Sequence, residues 1–271
     1  MDLGSASKIK GLSATNKIME LLLTTEKLTK DFGGVRALDN LDLEVREGLI
    51  QSVIGPNGAG KTTLFNVISG VIPATSGLVR FNGETITGLP PHRISSLGTT
   101  RTFQNLQLFS EMTVIENVMV GMHMRSAGGF LSSSFKLPWV VAEERRIRDK
   151  SMEWLEMLGL ENEAEMIAGS LPFGRQRILE LARALASRPR LLMLDEPAAG
   201  LNIRETQDLA GLIVRISKLD ITVLLVEHDM DLVMEISDHV SVMDQGRKIA
   251  EGDPETIRND EAVLKAYLGE E

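Results

Sequence analysis

The chain has 271 residues, 43% of them hydrophobic and 25% charged, with a net charge of -9 and no cysteine. That length suits one large domain or a core with a smaller insert, and the missing cysteines exclude a disulfide framework, thiol catalysis and zinc–thiolate sites. The net acidity argues against a general nucleic-acid binder, and no apolar run approaches the length that crosses a bilayer.

Residues 1–20 read as a loose extension, without an apolar segment leading to a small-residue cleavage site. A single domain is expected over 21–271. Its first part alternates apolar strands with glycine turns. Leu41, Leu43 and Val45 alternate, Arg46, Glu47 and Gly48 turn the chain, and Leu49 to Ile54 form a short β-branched run typical of a buried strand. That run feeds a glycine loop and a helix from about Lys61 to Ser69.

The middle of the chain, about 105–182, reads as a helical insert. Gly128, Gly129 and Ser132 to Ser134 suggest a loop, and Ile147, Trp154, Leu155 and Leu158 then share one helical stripe. Ile178, Leu181, Ala182 and Leu185 form a second stripe. Afterwards "LLMLDE" and "TVLLVEH" read as buried strands around a helix from Glu205 to Leu219. "VSVMDQGRKIAEGD" reads as a hairpin turning at Gln245 and Gly246, and Pro254 to Leu268 as one closing helix. Buried strands alternating with helices predict an α/β fold with a mostly parallel sheet.

"GPNGAGKTT" fits the phosphate-binding pattern G-x-x-x-x-G-K-[ST] at Gly55, Gly60, Lys61 and Thr62. Its glycines let successive N–H groups turn inward, and the following helix aims its positive end at the same phosphates. Gly55, Pro56, Asn57, Gly58, Ala59, Gly60, Lys61, Thr62 and Thr63 are therefore candidate ATP contacts, with Thr62 a candidate Mg2+ ligand. The strand "LLMLDE" ends in Asp195 and Glu196, a candidate Mg2+ ligand and a candidate general base respectively. His228 ends the next buried strand and would reach the same sheet edge. Gln104 sits where the core gives way to the insert. His92, His123 and His239 carry no functional signal.

In this order, the P-loop, the strand-end Asp–Glu, the glutamine before a helical insert and the strand-end histidine resemble the ATP-binding cassette (ABC) ATPases. The resemblance covers about residues 20–268. It implies a P-loop NTPase core with an antiparallel β subdomain and a helical insert. It further implies that Phe32 stacks on adenine, that Gln104 couples the site to a membrane partner and touches the metal, and that "AGLN" at 199–202 lies on a dimer seam. "LPFGRQ", 171–176, takes the signature position, so Leu171, Gly174, Arg175 and Gln176 would meet the nucleotide of a second cassette. Two departures stand out: Pro172 and Phe173 replace the usual serine and first glycine, and Asn202 replaces aspartate.

"RTFQNLQLFSEMTVIENVMVG", "LPFGRQR", "DEPAAGLN", "VEHDMDLVMEISD" and the tail to "KAYLGEE" are similar to one branch. These are the ATP-binding subunits of branched-chain or hydrophobic amino acid importers of bacteria and archaea. The branch implies ATP and Mg2+, two transmembrane permeases, a second ATPase subunit (the same or a related chain), an indirectly linked solute-binding protein, no nucleic acid, and a peripheral place on the cytoplasmic side of the inner membrane. The same engine serves urea or amide uptake and lipid export in relatives. A soluble clamp on nucleic acid or ribosomes is the competing class, and a single P-loop without a heptad run disfavours it.

Overall fold

The computed structural model describes residues 20–123 and 138–268. The expected extension over 1–19 and the loop containing Gly128, Gly129 and Ser132 to Ser134 lie outside the described residues.

In chain order, β1 (Leu21–Phe32) and β2 (Val35–Arg46) form a long hairpin, and β3 (Ile50–Ile54) feeds α1 (Lys61–Ile68). Then come β4 (Ser76–Phe81), β5 (Glu84–Thr85), α2 (Pro91–Ser96) and β6 (Thr99–Arg101). A helical stretch follows: α3 (Val114–His123), α4 (Pro138–Leu158) and α5 (Phe173–Ala186). The chain closes with β7 (Leu191–Asp195), α6 (Ile203–Ser217), β8 (Thr222–Val226), α7 (Met230–Ile236), β9 (His239–Asp244), β10 (Arg247–Gly252), α8 (Pro254–Arg258) and α9 (Glu261–Leu268).

Two sheets result. One is antiparallel, ordered β2-β1-β4-β5; the other is six-stranded, ordered β10-β9-β3-β8-β7-β6. Within the second, β9, β3, β8, β7 and β6 run parallel and only β10 is antiparallel. Strands β3, β7 and β8 are buried along their whole length, as parallel strands covered on both faces must be. Their alternation divides two cores. Leu192, Leu194, Val223 and Leu225 face α5 and α6, which contribute Leu181, Leu185, Leu209 and Ile213. Leu191, Met193, Leu224 and Val226 face α1 and the antiparallel sheet, meeting Leu64, Phe65, Leu41 and Val45.

The tail differs from its expected form. It breaks into α8 and α9 at Asn259–Asp260, because the Asp260 carboxylate accepts the N–H groups of Ala262 and Val263 and starts a new helix. Helix α6 begins two residues before the expected Glu205. Asn202 accepts the Glu205 N–H while the Glu205 side chain accepts the Asn202 N–H, a reciprocal cap that fixes the start.

Candidate functional site

The sheet order brings the site together. Strands β3, β8, β7 and β6 are neighbours, and their carboxyl ends carry Gly55, Glu227–His228, Asp195–Glu196 and the segment to Gln104 along one edge. Ligands of open α/β sheets collect at such an edge.

The loop from Gly55 to Gly60 leaves β3 and enters α1. Gly60 caps α1 at φ 102, and a Cβ there would sit 2.5 Å from the Ala37 carbonyl oxygen, so only glycine fits. No side chain caps α1, which leaves its first N–H groups without a side-chain acceptor. Lys61 folds back into this loop and donates to the carbonyls of Gly55 (2.6 Å) and Pro56 (3.0 Å). Burial pulls its ammonium below the usual lysine range, while Glu196 and Asp195 nearby pull it back up. The Thr62 side chain is exposed beside it.

Across the edge, Gln104 Nε2 donates to Glu196 Oε2 at 2.8 Å. His228 Nδ1 lies 3.9 Å from the same oxygen and 3.4 Å from Glu227 Oε2. Glu196 has a left-handed backbone (φ 47), which turns its side chain out of the strand direction at the point where β7 ends. Asp195 is buried, and Arg101 Nη2 donates to its Oδ2 at 2.7 Å. Lys61, Gln104, Asp195, Glu196 and His228 therefore converge. Phe32 ends β1 with its ring 48% exposed and the Lys30 ammonium 4.9 Å from its centroid, so it is a surface aromatic and not a core one.

The 171–176 stretch sits at the head of α5, with Pro172 as its cap residue. The Arg175 guanidinium points back into its own subunit, donating to the Gly159 carbonyl and pairing with Glu163. Gln176 Nε2 donates to the Leu171 carbonyl at 2.8 Å. Phe173, in the place of a small residue, is 45% exposed and covers Gly200, while the Arg177 guanidinium lies 5.4 Å from its ring. A Cβ on Gly174 would come within 2.6 Å of Glu205 Oε1. The head of α5 thus packs directly on the 199–205 turn.

Three charged residues that the sequence reading passed over hold this arrangement. Glu227 is fully buried and spends its carboxylate on the N–H groups of Ala198, His228 and Asp229. Arg177 donates to the carbonyls of Phe103 and Gln104, tying α5 to the segment that carries Gln104. Its partner Glu180, pushed up by burial, accepts from the Gln107 N–H. Beside them lies a cleft of about 490 Å³ between the sheet edge and the helices, lined by Arg101, Phe103, Phe109 and Arg183.

The family model described as ABC transporter matches residues 38–199, and that described as branched-chain amino acid ATP-binding cassette transporter matches 247–271. The chain is 50% identical over 250 residues to the high-affinity branched-chain amino acid transport ATP-binding protein BraF of Pseudomonas aeruginosa, covering 92% of this chain and 98% of that one. It is 45% identical, with the same coverage, to LivG of Escherichia coli, which bears the corresponding description. A crystal structure of the ADP conformation of an ATP-binding cassette of an ABC transporter superposes with a TM-score of 0.80 at 36% identity, covering 93% of this chain and all of the other.

Proposed function

Because the chain belongs to the ABC transporter family, whose ATP-binding cassettes bind and hydrolyse nucleotide, we propose that it is the motor subunit of an importer for branched-chain or other hydrophobic amino acids. The observation that carries the reading is the convergence of Gln104, Glu196 and His228 at the mouth of the Lys61 loop. We read residues 21–271 as one cassette, with about 105–182 as its helical insert.

Each site residue has a task. The Lys61 ammonium exchanges its two carbonyl partners for phosphate oxygens, and the free N–H groups at the start of α1 bind the same anion. Glu196 takes the proton of the attacking water, and Gln104 fixes the carboxylate that does so. His228 reaches the terminal phosphate from the neighbouring strand. Phe32 offers an exposed ring for adenine. Leu171, Gly174, Arg175 and Gln176 face the nucleotide of a second cassette. With the Arg175 side chain already paired, backbone N–H groups are its main contribution.

The donor set fits Mg2+. Among the described residues no cluster of three His, Cys, Asp or Glu side chains could cage a metal. One carboxylate (Asp195), one exposed hydroxyl (Thr62) and one amide (Gln104) suit an ion that completes its shell with phosphate and water. Bound there, Mg2+ would neutralise charge developing on the phosphates.

No described helix is long and apolar enough to cross a membrane. In this reading the motor meets the bilayer through a partner. The cleft beside Gln104, rimmed by exposed Phe103 and Phe109, suits a segment of a transmembrane permease on the cytoplasmic face. A solute-binding protein acts through the permeases. Reconstituting the chain with its two permeases and partner cassette in vesicles tests the reading. ATP-driven uptake of labelled leucine is expected, and uptake of urea alone would reassign the cargo.

A further inference from the structure

Arg101 closes β6 with its side chain buried, yet it makes three bonds to two different elements. Nη2 donates to Asp195 Oδ2 at 2.7 Å; Nη1 donates to Asn66 Oδ1 at 2.8 Å and Ser69 Oγ at 2.9 Å. Its Nε has no partner. The guanidinium carbon lies 5.5 Å from the Phe65 ring in the core and 4.9 Å from the Phe103 ring at the cleft.

This geometry has a specific consequence. Asn66 belongs to α1, whose first turn carries Thr62, and Ser69 caps that helix's other end, while Asp195 ends β7. One rigid, planar group therefore braces the helix bearing the hydroxyl ligand against the strand bearing the carboxylate ligand. It also engages one Asp195 oxygen, Oδ2, and so fixes the rotation of that carboxylate. We propose that Arg101 is the positioning residue of the divalent-cation site, setting both the Thr62–Asp195 spacing and the orientation of the Asp195 carboxylate. The inference rests on the assignment of those two residues as cation ligands. A buried ion pair is weak evidence for stability on its own. The bonds to both ligand-bearing elements are what point to geometry as its task. Because Arg101 and Phe103 also line the cleft, the brace is continuous with the surface where a partner segment would sit.

The test is Mn2+ binding, read by electron paramagnetic resonance on full-length protein loaded with the non-hydrolysed analogue adenylyl-imidodiphosphate. Arg101→Met is expected to loosen Mn2+ about tenfold, as outer-shell changes do. ATP affinity measured in EDTA should stay within about twofold, since the loop of Lys61 is untouched. In turnover assays the variant should raise the Mg2+ concentration needed for half-maximal rate more than it lowers the maximal rate. Arg101→Lys, which keeps the charge but reaches only one side, should recover part of the Mn2+ affinity, and it carries the test if the methionine variant does not fold. Asp195→Asn separates the two layers. If that change leaves Mn2+ binding intact, the ligand assignment itself fails. If it weakens binding while both Arg101 variants bind Mn2+ like the parent, or more tightly, the positioning role is overturned.

Discussion

Gln104 and Glu196 are joined by a 2.8 Å hydrogen bond across the gap between the end of β6 and the end of β7. An amide donor on a carboxylate fixes its orientation. Phe103, the chain neighbour of Gln104, lines the cleft. Whatever seats itself there and moves Gln104 changes the aim of Glu196.

Removing the base should leave binding intact. Glu196→Gln is expected to bind ATP, hold the closed two-cassette state and lower turnover at least about a hundredfold. Near-normal phosphate release by this variant would take the proton-abstraction role away from Glu196.

Inside the loop the Lys61 ammonium donates to the carbonyls of Gly55 and Pro56. Lys61→Ala should weaken ATP binding about tenfold to a hundredfold, the loss of charge-assisted hydrogen bonds to phosphate. Titration calorimetry checks this, and an unchanged dissociation constant would rule out the phosphate contact.

A Cβ at Gly174 would press on the far end of the Glu205 side chain. Gly174→Asp adds both bulk and like charge at that contact. It should spare nucleotide binding by the isolated chain and abolish turnover in the assembled transporter. Adding Glu205→Ala should restore part of the rate if the clash with the 199–205 turn is the cause; full activity of the single variant would reduce this stretch to a helix start.

Asn202 performs the capping task that aspartate would perform in its place. Asn202→Asp should therefore leave the melting temperature unchanged, whereas Asn202→Ala should cost about 1 kcal/mol, a fall of about 2–4 °C. Equal melting of all three proteins would contradict the cap.

Glu180 gives a pH signature. Burial raises its folded-state pKa above the unfolded one, so the folded chain holds that proton longer. Its contribution therefore favours folding at low pH and is lost as pH rises from the unfolded value near 4.5 through the folded one. The difference in melting temperature between parent and Glu180→Gln should shift in favour of the variant across that window. A pH-independent difference would mean the carboxylate is equally ionised in both states.

Much of this site was legible in the sequence because its signals are contiguous. The Gly55–Thr63 loop announces itself through local backbone chemistry, and Asp195, Glu196 and His228 each end an apolar run. Arg101, Arg177 and Glu227 were not legible, because each makes a bond that reaches across the fold, to a residue 94, 73 and 29 positions away respectively. A charged residue inside an apolar stretch reads as a solvated rim until the partner is in view. The break in the tail did carry a local signal: Asp260 followed by Glu261 is an ordinary helix start, masked by the continuous apolar pattern around it. The departures at Phe173 and Asn202 also make sense only in space, where Phe173 covers Gly200 and Asn202 caps α6.

The sheet order also governs how the chain comes into being. β3 is completed by β8, its neighbour in space, and the Gly48 N–H reaches Thr222 Oγ1 across a sequence separation of 174. During synthesis, the β3 strand emerges long before the partner that closes its edge. Over that interval the edge of this strand waits unpaired, open to pairing with another nascent chain. The nucleotide loop is thus among the first segments made and among the last to acquire its final frame. Shielding that edge while the remaining chain is translated therefore protects the folding of this sheet.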